Sequence, residues 1–293
     1  IALGVTISQA AYVNKVQASE VLAELALSTA SVNSTYIEED SQDESGDLQG
    51  YLKVGYGYKN EKSGYDEEVS GLSLFINGRY DWRGFFLESY FGANDRSEGV
   101  SVGYNFYNAE NWSFDVNTVL AHGETKSKIF DVDKIFVHER KSTTMLALRA
   151  TGYFDQEITL QMQFAPYSFN DENDDGYFAT AWLSKAWFIK NWEVHTSLGV
   201  KYYSADFLEY NYGISKEEAS MHFGVYSPDD GFDVTGQISA SYPISKRWLF
   251  ESYYKYTDIS DEIVANPIMD FANDLPSRQE NTTEFGILIS YVF

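Results

Sequence analysis

Asp171, Asn173 and Asp175, followed by Gly176, stand at the alternate spacing with which a calcium loop converges its oxygens, and the glycine permits the sharp turn. The twelfth position of such a loop needs a bidentate carboxylate, and here it is Trp182. A solvated acidic hairpin is the preferred reading, with Asp171, Asn173 and Asp175 a weak metal candidate, and no cofactor is expected. Nucleophilic chemistry has equally little to work with. Cysteine is absent, and the histidines are His122, His138, His195 and His222. Only His122 closes an alternating segment with outward parity, where a hydrolase of membrane lipid would need its base. No serine with an orienting Asn or Asp can be placed beside it. No catalytic residue is assigned, and an enzyme is not expected.

A larger polar set falls at every second position of otherwise apolar segments: Lys53, Asp115, Arg149, Gln161, Gln163, Glu193, His195, Lys201, Asp233, Gln237, Glu251, Lys255 and Glu284. The elements that hold them have a period of two, which is that of a strand. In 232–242, Val234, Gly236, Ile238, Ala240 and Tyr242 share one face, while Asp233, Thr235, Gln237, Ser239 and Ser241 share the other. The segments are expected at 49–59, 69–78, 82–91, 98–107, 111–122, 142–154, 157–168, 176–188, 191–203, 232–243, 246–257 and 282–293. Bulges are considered in 82–91, where Arg83 and Glu88 differ in parity, and in 176–188, where Trp182 and Lys185 do. Tight turns are expected at 79–81, 108–110, 155–156, 190 and 244–245, with longer connections between the others.

A charge of −23, from 21 Lys+Arg against 44 Asp+Glu, excludes a nucleic-acid partner. Mean hydropathy is −0.35, and no long uninterrupted apolar run provides a membrane helix. Yet 23 Tyr, 20 Phe and 6 Trp concentrate at the ends of the apolar faces, as lipid interfaces require. Lipid cannot satisfy an open sheet edge, so the sheet must close. The expected fold is all-β: a transmembrane antiparallel barrel of about twelve strands, with short periplasmic turns and long extracellular loops. Its polar set either lines a narrow, cation-preferring pore or pairs into a closed network. The similar numbers of acids and bases favour the network.

The barrel is expected over 48–293. Residues 1–18 look like the apolar region and cleavage site of a secretory signal, or else begin a short helical segment through Val21, Leu22 and Leu25. The acidic stretch 38–47 reads as a periplasmic linker. The end, Tyr291-Val292-Phe293, resembles the signal by which the barrel-assembly machinery recognises its substrates, which implies that machinery as a partner.

The stretches 210–219 (YNYGISKEEA), 226–230 (YSPDD), 257–264 (TDISDEIV) and 266–270 (NPIMD) resemble the MipA/OmpV family, as does Trp82-Arg83-Gly84. The resemblance implies a Gram-negative outer-membrane barrel in contact with lipid and lipopolysaccharide. It also implies a scaffold joining a periplasmic lytic transglycosylase to a peptidoglycan synthase, although other members are described as surface antigens or adhesins. Its signature loop carries Tyr212, Gly213, Ser215, Lys216, Glu217, Tyr226 and Asp229. With Phe207, Tyr210 and Phe223 close by, that loop holds more aromatics than solvent tolerates. It is expected to fold over the barrel mouth as a lid, with a partner surface as the other reading. Ser215 to Glu218 form a helix-start pattern.

Overall fold

The computed structural model describes residues 49–62, 69–92, 98–123, 125–130, 135–154, 157–173, 175–219, 224–267 and 280–293. Residues 1–47, together with His222, Phe223 and Asp174, lie outside them. Twelve antiparallel strands close into one barrel: β1 (Gln49–Lys62), β2 (Val69–Trp82), β3 (Phe85–Tyr90), β4 (Gly99–Ala109), β5 (Trp112–His122), β8 (Thr143–Phe154), β9 (Ile158–Ser168), β10 (Phe178–Ile189), β11 (Trp192–Tyr203), β12 (Gly231–Pro243), β13 (Trp248–Asp258) and β14 (Asn281–Val292). A separate hairpin, β6 (Thr125–Phe130) with β7 (Ile135–Arg140), stands in the loop after β5. The alternation had given no sign of it.

Side chains are sorted inside out. Leu72, Leu74 and Ile76 on β2, Val100 and Val102 on β4, and Phe285, Ile287 and Ile289 on β14 are exposed, while buried polar residues outnumber buried apolar ones. This is the distribution of a wall with lipid outside. Rings gather at the end where β1 begins and β14 ends, where Trp112 packs on Phe154, Trp192 on Tyr242 and Phe250, and Trp248 on Tyr291. At the opposite rim Tyr177 lies between Phe164 and Tyr202.

Strands β1 and β14 close the seam, with Lys53 opposite Val292, and Phe293 N donates to Leu52 O at 2.9 Å. The β2–β3 hairpin turns at Arg83 and Gly84, both at positive φ (52° and 84°), as a two-residue loop between twisted strands demands. Residues 79–81, expected as this turn, therefore lie within β2. Arg83 belongs to the turn, so its parity conflict with Glu88 disappears without a bulge. Strand β10 is also regular: Trp182 points inward, and Lys185 points out with its ammonium 4.1 Å from the Trp187 ring. The bulges lie elsewhere. One lets both Phe106 and Tyr107 face out, one adds Ala121 to β5, and one sets the β8–β9 register aside around Ala165 and Pro166, where proline has no N–H to lose.

Candidate functional site

The inner wall carries its charges in a row fixed by strand register. Asn105, Asp115, Arg149, Gln163, Thr180, Lys201 and Asp233 stand opposite one another in turn across β4, β5, β8, β9, β10, β11 and β12. Arg149 Nε donates to Asp115 Oδ2 at 2.9 Å, and its Nη1 pairs with Glu88. Glu88 also accepts from Arg79 Nη1 at 3.1 Å, while Arg79 Nε donates to Asp81 Oδ2 at 3.0 Å. Phe86 lies beneath both guanidinium groups, 4.0 Å from Arg79 and 5.1 Å from Arg149. Asn105 Nδ2 satisfies the second Asp115 oxygen at 2.9 Å. Arg79, Glu88, Asp115 and Arg149 thus each have an opposite charge, the condition under which burial is tolerated.

On the opposite wall, Lys53 pairs with Glu251, which also accepts from Ser290. Lys255 Nζ lies 2.9 Å from Glu284 and 2.9 Å from Glu98, and Lys59 reaches Glu284 at 3.1 Å. Glu98 stands before β4, so this contact crosses the lumen. Gly92 does the same, its carbonyl accepting from Gln237 on β12 at 3.3 Å. Strand β3 ends after six residues, and the chain leaving it turns inward. Gln161 is buried on the inner face, and nearer the periplasmic end Glu193 and His195 pair at 2.8 Å.

The mouth is filled by helix α1 (Ala205–Tyr212). Ser204 caps it, its hydroxyl accepting from Phe207 N at 3.2 Å. Phe207 and Leu208 are fully buried among Met145, Ala165, Phe178 and Tyr203 of the wall and Ile259 and Ile263 at the short helix α2 (Asp261–Val264). Tyr203 stacks on Phe207 at 5.4 Å, and its hydroxyl donates to Asp233 at 2.6 Å. The signature residues hold this plug together. Asn266 donates to Tyr212 O at 2.7 Å, Ile214 pairs with Tyr226, Tyr226 donates to Glu262 O, and Asp229 N donates to Glu262 at 3.1 Å. Ser215 and Glu218 exchange the reciprocal bonds of a capping box, at 2.9 and 3.3 Å, but enclose only one turn. A side chain at Gly213 would collide with Glu209 O. Lys216 and Glu217 face solvent.

From β7, Arg140 reaches over this plug to Glu218 at 2.7 and 3.0 Å and to the carbonyls of Tyr210 and Gly213. Burial holds the Tyr212 phenol well above the usual tyrosine range, and the Asp233 carboxylate adds to this, so the phenol stays a donor. It lies 3.2 Å from His122 Nε2, whose Nδ1 lies 2.6 Å from Gly123 O. This overturns the outward placement of His122: the extra residue Ala121 re-aims the strand end toward the plug.

Asp171 and Asp175 are exposed while Asn173 is buried. Glu172 instead pairs with Lys141 at 2.6 Å, which lowers its pKa. Among the described residues no three acidic or histidine side chains gather as a metal site. Arg79 and Glu88, central to the lumen, were missed because residues 79–81 were expected as the turn and Arg83 as part of the next strand. The parity of Leu72, Leu74 and Ile76 carried the signal that Arg79 faces inward.

Residues 52–293 match the family described as MltA-interacting protein MipA. The chain is 28% identical over 184 residues to the MltA-interacting protein of Escherichia coli K12, covering 62% of this chain and 73% of that one. It is 31% identical over 75 residues to outer membrane protein OmpV of Vibrio cholerae, covering 26% and 29% of the two chains. Among solved structures, OmpT of Vibrio cholerae matches with TM-score 0.41 and 9% identity over 87% of this chain and all of that one. The chain is an outer-membrane β-barrel and belongs to the MltA-interacting protein MipA family.

Proposed function

We propose that the protein is a closed, non-catalytic barrel that anchors a periplasmic murein enzyme at the outer membrane. The observation that carries this reading is the occluded lumen, where the Lys255–Glu98 pair crosses the inside and helix α1 fills the mouth. A barrel so filled acts through its surfaces. The similarity to a protein named for its interaction with MltA points to the periplasmic surface. The Nε2 lone pair of His122 faces the Tyr212 hydroxyl, which leaves this histidine no role as a base toward lipid.

The five periplasmic turns are too small for an interface of about 800 Å² per partner. Residues 19–47, proposed to lie in the periplasm, supply the remaining contact. The test is binding of a purified lytic transglycosylase to the full chain in detergent and to a chain lacking 19–47. Binding by the full chain that weakens in the truncation supports the reading. Equal binding by both moves the contact to the turns, and binding by neither overturns the anchor.

A further inference from the structure

Strand β2 outruns its neighbour. It spans Val69 to Trp82, while β3 pairs with it only between Gly78 and Trp82. Phe91 N then donates to Asn77 Oδ1 at 2.6 Å in place of a backbone acceptor, and Gly92, at a φ of 80°, takes the chain into the lumen. Residues Ser70 to Phe75 therefore have β1 on one side and, among the described residues, no strand on the other. We propose that this free edge is a docking site for an extended segment of a partner protein, added antiparallel to β2 where β3 stops.

The hairpin decides which backbone groups are free. Trp82 and Phe85 flank a two-residue loop and so form a hydrogen-bonded pair, which points the N–H and C=O of even-numbered β2 residues toward β3 and those of odd-numbered residues toward β1. Ser89 Oγ donates to Ile76 O at 2.8 Å, which obeys the same parity. The N–H and C=O of Ser70, Leu72 and Leu74 thus lie along the free edge, and among the described residues nothing pairs with them. The edge is accessible, for Leu72 and Leu74 are 68% and 62% exposed. Leu72 stands ten residues above Trp82, a rise of about 25 Å for a strand tilted about 40°, which is the height of the apolar band. Leu74 lies inside that band, where water does not serve its backbone.

Donors and acceptors alternating along one line are matched by another extended backbone. A second copy is the poorer occupant. Two barrels in one membrane are related by an axis along its normal, so their β2 strands run in the same sense and cross at about twice the tilt, about 80°. The side chains of the partner segment follow from its cross-strand neighbours. Those opposite Leu72 and Leu74 face lipid and are apolar. Those opposite Gly71 and Ser73 face inward, where a side chain at Gly71 would meet nothing within 4 Å, so that side has room for bulky or polar residues. The segment enters from the outer rim, away from the periplasmic surface, and the site is independent of the anchor reading.

The probe is a fluorescent synthetic peptide copying residues 55–61 (GYGYKNE), the part of β1 that pairs with Val69 to Phe75 on the other edge. Its binding to the full chain in lipid nanodiscs is read by anisotropy. Leu74→Pro removes an N–H that no strand uses, and proline is tolerated at such an edge position, so the variant should keep the folded gel band. Saturable binding that weakens at least tenfold in this variant supports the site, and unchanged binding overturns it. Should the variant fail to fold, N-methylated peptides on the unaltered barrel decide. Methyl groups on the amides copied from Tyr56 and Tyr58 should abolish binding, and those on the amides copied from Gly57 and Lys59 should not. Binding indifferent to that parity, or no saturable binding up to the solubility of the peptide, overturns the proposal. The chain has no cysteine, so Ser70→Cys reports on a second copy: disulfide-linked dimers in outer membranes would overturn the choice of partner. None of these results bears on the transglycosylase experiment.

Discussion

Lys53 and Glu251 form an ion pair that reaches from β1 to β13 across the last strand, so the seam of the barrel is fastened from inside as well as by its backbone ladder. Replacing Lys53 leaves Glu251 buried without its counter-charge. Lys53→Met is expected to cost roughly 3 kcal/mol and to lower the temperature at which the folded band disappears on unboiled gels. Lys53→Met with Glu251→Met should recover most of this. A double variant no better than the single would refute the pairing as the cause.

Occlusion predicts electrical silence. Protein inserted in planar bilayers, with insertion shown independently, should give no steady conductance. A steady conductance with cation-favouring reversal potentials would overturn the closed lumen and favour a channel.

The plug is clamped by Arg140 through a bidentate ion pair and two carbonyl contacts. Arg140→Ala removes charge-assisted bonds of about 2 kcal/mol. Exposed Lys216 then becomes a readout. Trypsin applied to intact cells is expected to cut the loop after Lys216 roughly tenfold faster in the variant, with the barrel core still folded. Unchanged cleavage would mean that the buried Phe207 and Leu208 hold the plug without the clamp.

Phe293 is exposed at the end of β14 with its ring 4.8 Å from Tyr291. As the proposed assembly signal, its deletion should reduce the amount of protein in outer-membrane fractions severalfold. The variant refolded in detergent should still form a barrel. Normal membrane levels of the deletion would dismiss Tyr291 and Phe293 as that signal.

The wall was legible because lipid imposes a strict period of two, and each of the twelve barrel strands overlaps a segment read from alternation. Turn positions were less so. Asn77-Gly78 looks like turn chemistry, yet the chain runs straight on to Arg83-Gly84, and that difference hid Arg79. The bulge at Ala121 depends on how β5 pairs with β8, which no single strand reveals, so the parity of His122 misled. The plug was legible for a different reason: Phe207, Tyr210 and Tyr212 lie in a loop too aromatic to remain in water. What Phe207 packs against depended on Met145, Phe178 and Ile263, brought from three distant parts of the chain.

The β1–β14 seam joins residues roughly 240 positions apart, and closing so large a loop costs on the order of 5 kcal/mol in chain entropy before any contact at the seam repays it. Until the final strand arrives, both β1 and β13 present unpaired backbone along their free sides. An arrested chain is therefore a two-edged sheet that invites pairing with other chains. The same ladder that closes the finished wall makes its last step the slowest to find unaided, so the dangerous interval in this protein's life lies between synthesis of β13 and docking of β14.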